Sequence, residues 1–110
     1  MRVPTELWVT ALIRRANSAG AMAVVVRHGE ASAGVVLIKV RLLDGTAKLL
    51  GPAAAGLARD DGLPRFAPHL APAGAPEADV DAYIARQISF DPDIWVVEID
   101  DRQGRSFVED

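Results

Sequence analysis

The stretch RQISFDPDIWVVEIDD, residues 86–101, sets Asp91, Asp93, Glu98, Asp100 and Asp101 around an apolar run that holds Trp95. Its reading as an acidic site or as a joint between two elements decides the fold. Pro92 disfavours helical backbone at Asp91, so a helix arriving from upstream stops there. Asp93 is suited to turn the chain by bonding its own backbone. From Ile94 the pattern is that of a strand: Trp95, Val97 and Ile99 point one way, and Ile94, Val96, Glu98 and Asp100 the other. A calcium loop needs oxygen ligands at alternating positions and a glycine at its sharp turn. Here Trp95 falls at the next alternating position, and no glycine follows before Gly104. The stretch reads as a helix-to-strand joint, and no metal is expected.

Upstream, PEADVDAYIARQIS (76–89) is a helix with Val80, Ile84 and Ile88 on one stripe and Glu77, Asp79 and Asp81 at its positive end. At the other end of the chain, TELWVTALIRRANSA (5–19) repeats Trp8, Leu12 and Ala16, widened by Val9 and Ile13. Thr5 stands as its N-cap and Gly20 as its closing glycine. Between them AMAVVVRH (21–28) and VVLIKVRLL (35–43) are strands, and Asp44-Gly45 marks a tight hairpin into TAKLL (46–50). With Asp44 and Gly45 as a two-residue loop, Arg41 faces Lys48 and Val40 faces Leu49. Leu49 then joins Val36, Ile38 and Val40, while Lys48 joins Lys39 and Arg41.

Residues 51–76 differ in kind: 17 of the 26 are Gly, Pro or Ala. A mobile internal segment is expected there, with a short strand around LPRFAPHL confined to a sheet edge because proline cannot donate to a ladder. The order is α-β-β-β-(β)-α-β. That is a single α+β domain over 1–110: two helices on a largely antiparallel sheet of about four to five strands.

Cysteine is absent, which excludes disulfides, thiolate metal sites and cysteine nucleophiles. No apolar run reaches the length of about twenty residues that spans a membrane, and Glu6 and Arg14-Arg15 interrupt any signal-like segment, so a cytoplasmic protein without membrane contact is expected. The charge is uneven: residues 1–50 hold seven Lys/Arg against three Asp/Glu, and residues 51–110 five against twelve. The overall acidity, and the lack of aromatics among the basic residues, argue against nucleic acid as partner.

Two groups of residues carry the candidate chemistry. In RHGEASAG (27–34), Arg27, His28, Gly29, Glu30, Ser32 and Gly34 combine permissive backbone with a cation, an imidazole and a carboxylate. Such a loop suits a small anionic ligand, a phosphate-bearing metabolite, although the lysine and following helix of a P-loop are missing. A weaker alternative is an enzyme that uses His28 and Glu30 as acid and base. The second group is Lys39, Arg41 and Lys48, which Glu98 and Asp100 neutralise if the two strands are neighbours. A sheet face that is apolar at one end and charged at the other suits an interface, so the leading reading is a non-catalytic interaction module. Its expected partner is a second copy or another protein, and no cofactor is expected.

TELWVTALIRR, RHGEASAGVVLIKV with RLLDGTA, and YIARQISFDPDIWVVEID resemble the domain-of-unknown-function family 1491, a group of small bacterial proteins. The run from Phe90 to Glu98 is the most specific part. Where the family often has G-D-P-T-A-G, this chain has Gly29-Glu30-Ala31-Ser32-Ala33-Gly34, without the proline. The resemblance implies a bacterial cytoplasmic protein and brings no catalytic residue with it.

Overall fold

In the computed structural model, which describes residues 3–53 and 65–108, the strand that begins at Trp95 lies inside the sheet. This strand, β6 (Trp95–Asp100), has β1 (Met22–Arg27) antiparallel on one side and β2 (Val36–Arg41) parallel on the other. β3 (Thr46–Pro52) follows β2, and β4 (Phe66–Pro68) closes the order β1-β6-β2-β3-β4. The two-residue β5 (Ala75–Pro76) also pairs with β3, making six strands. A parallel pair needs a crossover, and β3 to β5 together with helix α2 (Glu77–Phe90) supply it between β2 and β6.

One helix covers each face. α1 (Thr5–Ser18) sets Val9, Leu12 and Ala16 on Val36, Ile38, Val40, Trp95, Val97 and Ile99. α2 sets Val80 and Ile84 on Leu37, Leu49, Ile94 and Val96. This is why Ile94–Val97 is apolar at every position: alternate side chains enter opposite cores. The edge strand expected near LPRFAPHL is β4, where Phe66 stacks on Trp8 at 5.2 Å. Residues 54–64, the middle of the segment expected to be mobile, lie outside the described residues.

The hairpin register differs from expectation by one residue. Arg41 pairs with Ala47 and Val40 with Lys48, and Leu42 N–H donates to the Thr46 carbonyl. The loop is therefore Leu43-Asp44-Gly45, with Leu43 at φ 66° and Gly45 at φ 91°. The Asp44 carboxylate accepts from both the Thr46 N–H, at 3.0 Å, and its hydroxyl, at 2.6 Å, and this local closure adds a residue to the turn. A slip of one residue exchanges the faces of a strand. Leu49 accordingly belongs to the α2 core, and Lys48 lies on the α1 side, reaching the Gly104 carbonyl. The expected Arg41–Lys48 opposition does not arise.

Both helix starts are also set by tertiary contacts. Pro4, not Thr5, is the N-cap of α1, and the free N–H groups of Thr5 and Glu6 donate to the Ser32 and Ala31 carbonyls. Its end is as read: Gly20 at φ 94°, with Ala21 N–H to Ala16 and Gly20 N–H to Asn17, forms a Schellman closure. Glu77 N–H, at the start of α2, donates to Gly45 in the hairpin tip. α2 stops at Asp91, whose extended backbone and carboxylate turn the chain by accepting Asp93 N–H at 3.0 Å. The turning acid is therefore Asp91 where Asp93 was expected.

Candidate functional site

The 27–34 loop is built as a bracket. Trp95 Nε1 donates to the Glu30 carbonyl at 2.7 Å, and Glu30 N–H donates to the Asp93 carbonyl. Gly34 N–H donates to the Glu30 carbonyl, and Ser32 N–H to the Glu30 carboxylate. The Arg27 guanidinium spans the Pro92 and Ile94 carbonyls at 2.9 and 2.8 Å. A Cβ on Gly29 would lie 2.2 Å from the Asp93 oxygen, and one on Gly34 2.6 Å from it. The glycines thus allow close approach to the 93–95 backbone, and Arg27 with three of the loop's N–H groups is committed within the protein. This bracket joins the Pro92–Trp95 joint to the start of α1.

His28 is exposed, as are Glu30 and Ser32, and its ring is tilted at 5.0 Å from Trp95. It lines an open cleft of about 790 Å³ between α1 and β1, walled by Glu6, Thr10, Arg14 and Asn17 and by Val25. Glu30 is not part of that lining. The second histidine, His69, is held by both nitrogens: one faces the Pro52 carbonyl at 2.9 Å, the other the Tyr83 hydroxyl at 2.8 Å. Since a carbonyl only accepts, Nε2 is the donor to Pro52. Among the described residues, no group of three or more His, Cys, Asp or Glu side chains could hold a metal ion.

The charged group forms a lock between α2 and the sheet. The parallel register sets Lys39 beside Glu98 and Arg41 beside Asp100. Lys39 Nζ lies 2.8 Å from Asp81, 3.3 Å from Glu77 and 3.7 Å from Glu98. Arg41 donates to Glu77 at 2.7 Å and to Asp100 at 3.0 Å. Lys48, expected here, is on the opposite face. Glu77 and Asp81 were not among the sequence candidates, although their i, i+4 spacing places two carboxylates on one side of a helix. With four carboxylates and two cations the group carries −2.

Burial works to lower the Lys39 pKa, but the hydrogen bonds from Asp81 and Glu77 outweigh it and the net direction is up. The Arg41 hydrogen bond holds the Glu77 carboxyl below its ordinary value of 4.5. Arg105 does the same for Asp101, buried at the end of β6. A carboxyl whose folded pKa is depressed contributes stability above its unfolded pKa and loses it as pH falls through the folded value. The melting temperature is therefore expected to fall as pH drops below about 5. Glu77→Gln should flatten part of that fall; thermal unfolding between about pH 3 and 7 measures it, and an equally steep fall in the variant would discard the assignment.

A third feature is a surface. Met22 and Val24 sit on the α2 side of β1, opposite Asp100 and Glu98, yet α2 lies over β3 and β2 and reaches only as far as Val96 on β6. Met22 is 70% exposed, Val24 53%, and Val26, the extra residue at a bulge, 55%. Phe90, 82% exposed, ends α2 just before Pro92, whose carbonyl binds Arg27 at the far end of β1. The outer backbone edge of β1 is partly closed from the other side: Asn17 accepts from Ala23 N–H at 2.9 Å and donates to its carbonyl at 3.3 Å. The exposure of Phe90 and the Asn17 clamp have no signal in the sequence, since each depends on which strand lies at the edge.

The fold and its brackets define a small α+β domain with one open mixed sheet, a helix on each face and a bare apolar margin. The chain belongs to the DUF1491 family, described as a protein of unknown function, over residues 3–109. A DUF1491 family protein from Caulobacter crescentus CB15, known from a crystal structure, is similar at 45% identity and TM-score 0.83, with 99% of this chain and 97% of that one covered. An NMR structure of a family protein from the same organism gives 46% and 0.80, over 100% and 96%. A solution structure of an A. tumefaciens protein gives 39% and 0.78, over 92% and 87%. No curated protein matches. Among the described residues, no helix is long and apolar enough to cross a membrane.

Proposed function

We propose that this protein acts in the bacterial cytoplasm as a non-catalytic interaction module, and that its contact surface is the uncovered side of β1. The observation that carries the reading is Met22 and Val24, exposed on the uncovered α2 side of an edge strand, with Val26 exposed at the bulge beyond them. Single exposed apolar residues are ordinary, but a contiguous apolar row with a charged rim is the pattern of a binding surface. Phe90 is exposed at the same end of the sheet as Val26, and aromatic side chains are enriched where proteins meet. The charged lock supports the reading by fixing α2 to one side of the strip, leaving the margin open.

The test is a photo-crosslinking residue placed at Val24, with Leu7 and Leu43, both exposed, as control positions on other surfaces, in the bacterium that makes the protein. A discrete crosslinked species from position 24 alone is expected. The captured partner, purified, should bind the wild-type chain at least about tenfold more tightly than Val24→Glu, as for the loss of one central apolar contact. Crosslinks of equal yield from all three positions would refute the surface.

A further inference from the structure

We infer that the occupant of this surface is an amphipathic helix of a partner protein, bearing Lys or Arg over the Met22 end; the inference rests on the reading just given. The first argument concerns edge and face. A strand adding to β1 needs its outward N–H and C=O groups, and those of Ala23 are taken by Asn17. The bulge between Val25 and Arg27 breaks the ladder further along. Both are devices that blunt an edge against pairing, so the partner lies on the side chains instead.

The second argument is size. Met22 to Val26 spans roughly 13 Å at about 3.3 Å per residue, or some two and a half helical turns at about 5.4 Å each. Alternate strand side chains stand roughly 6.6 Å apart, close to the rise between residues i and i+4 of a helix. A strip this long and one or two strand spacings wide falls well short of the roughly 800 Å² per partner that a stable dimer buries. A short helix fits it where a second copy does not.

The third argument is charge. Glu98 and Asp100 stand beside Val24 and Met22 in the register, and they belong to the lock that carries −2. Both keep about a quarter of their side chains exposed. A cation on the helix over that end is attracted, whereas two copies packed face to face would bring two negative groups into one interface.

The experiment uses the full chain and a fluorescent helix-forming peptide of about fifteen residues with leucine at i, i+4 and i+8, a length and spacing set by the strip. One end carries two lysines. Two control peptides replace the lysines with glutamate or the leucines with serine. Backbone amide shifts and anisotropy are read together. Expected are shifts at Met22–Val26 and Glu98, an affinity that weakens with salt, and a loss of at least about tenfold with either control peptide or with Val24→Glu. Val24→Thr, which keeps a β-branched residue in the strand, should weaken binding in the same direction if Val24→Glu disturbs the fold. No shifts on β1, shifts mapping to the α1–β1 cleft, or equal affinity for the lysine and glutamate peptides would overturn the helix. So would self-association abolished by Val24→Glu with no peptide binding, which assigns the surface to a second copy and leaves the interface reading standing.

Discussion

Trp95→Ala is expected to cost about 3–5 kcal/mol of folding stability, the usual penalty for emptying a buried aromatic site. Trp95 is 2% exposed and lies between the α1 helix and the sheet, so its neighbours belong to rigid elements with little freedom to close the cavity. The ring also holds the 27–34 bracket, since its Nε1 is the donor to the Glu30 carbonyl. Trp95→Phe keeps much of the volume and removes only that donor, so a loss of about 1–3 kcal/mol is expected. Gly29→Ala approaches the same seat from the other side. Its new methyl would stand 2.6 Å from the indole and 2.2 Å from the Asp93 oxygen, which overfills the site. In the double variant the indole clash disappears while the clash with the backbone oxygen stays, so the two losses should add to less than their sum. Urea denaturation gives all four values; a loss under about 1 kcal/mol for Trp95→Ala would show that the bracket folds around something else.

How far the sequence reached depends on what each feature needs. The helices, the order of elements and the strand after Pro92 follow from local pattern and were legible. The pairing of 35–41 with 94–100 followed from the sequence only as a condition, since both run from apolar to charged with opposite signs, and the structure meets it: Lys39 lies beside Glu98 and Arg41 beside Asp100. The hairpin was misread by one residue because Asp44 bonds Thr46 twice and draws Leu43 into the turn, a choice between two allowed loops that composition does not decide. Thr5 was misread as a cap because its helix start is satisfied by a loop 27 residues away. In the loop itself Gly29 and Gly34 allow close backbone approach, and what approaches is the 93–95 chain. Asn17 on the edge of β1 and the bare row beyond β6 depend on strand order, which no local pattern carries.

Lys39→Met is expected to be the costliest change outside the apolar core, at about 1.5–3 kcal/mol, the scale for losing charged hydrogen bonds to carboxylates that stay partly exposed. Lys39 is 6% exposed, and its ammonium is shared by Asp81 and Glu77 from α2 and Glu98 from β6. Methionine preserves most of the apolar stem, so what is lost is the charge. Three carboxylates are then left close together with Arg41 serving only Glu77 among them, and they repel across the joint that seats α2 on the sheet. This origin gives a signature that a packing defect lacks. As pH falls toward about 4 the carboxylates take up protons and the repulsion fades, so the gap between Lys39→Met and wild type should narrow. Asp81→Asn combined with Glu98→Gln should narrow it at neutral pH in the same way, since each removes a charge and keeps the shape. Melting curves at about pH 7 and pH 4 for the four chains decide the matter. A penalty constant across pH and untouched by the neutralised pair would place Lys39 in the core for its carbon chain alone.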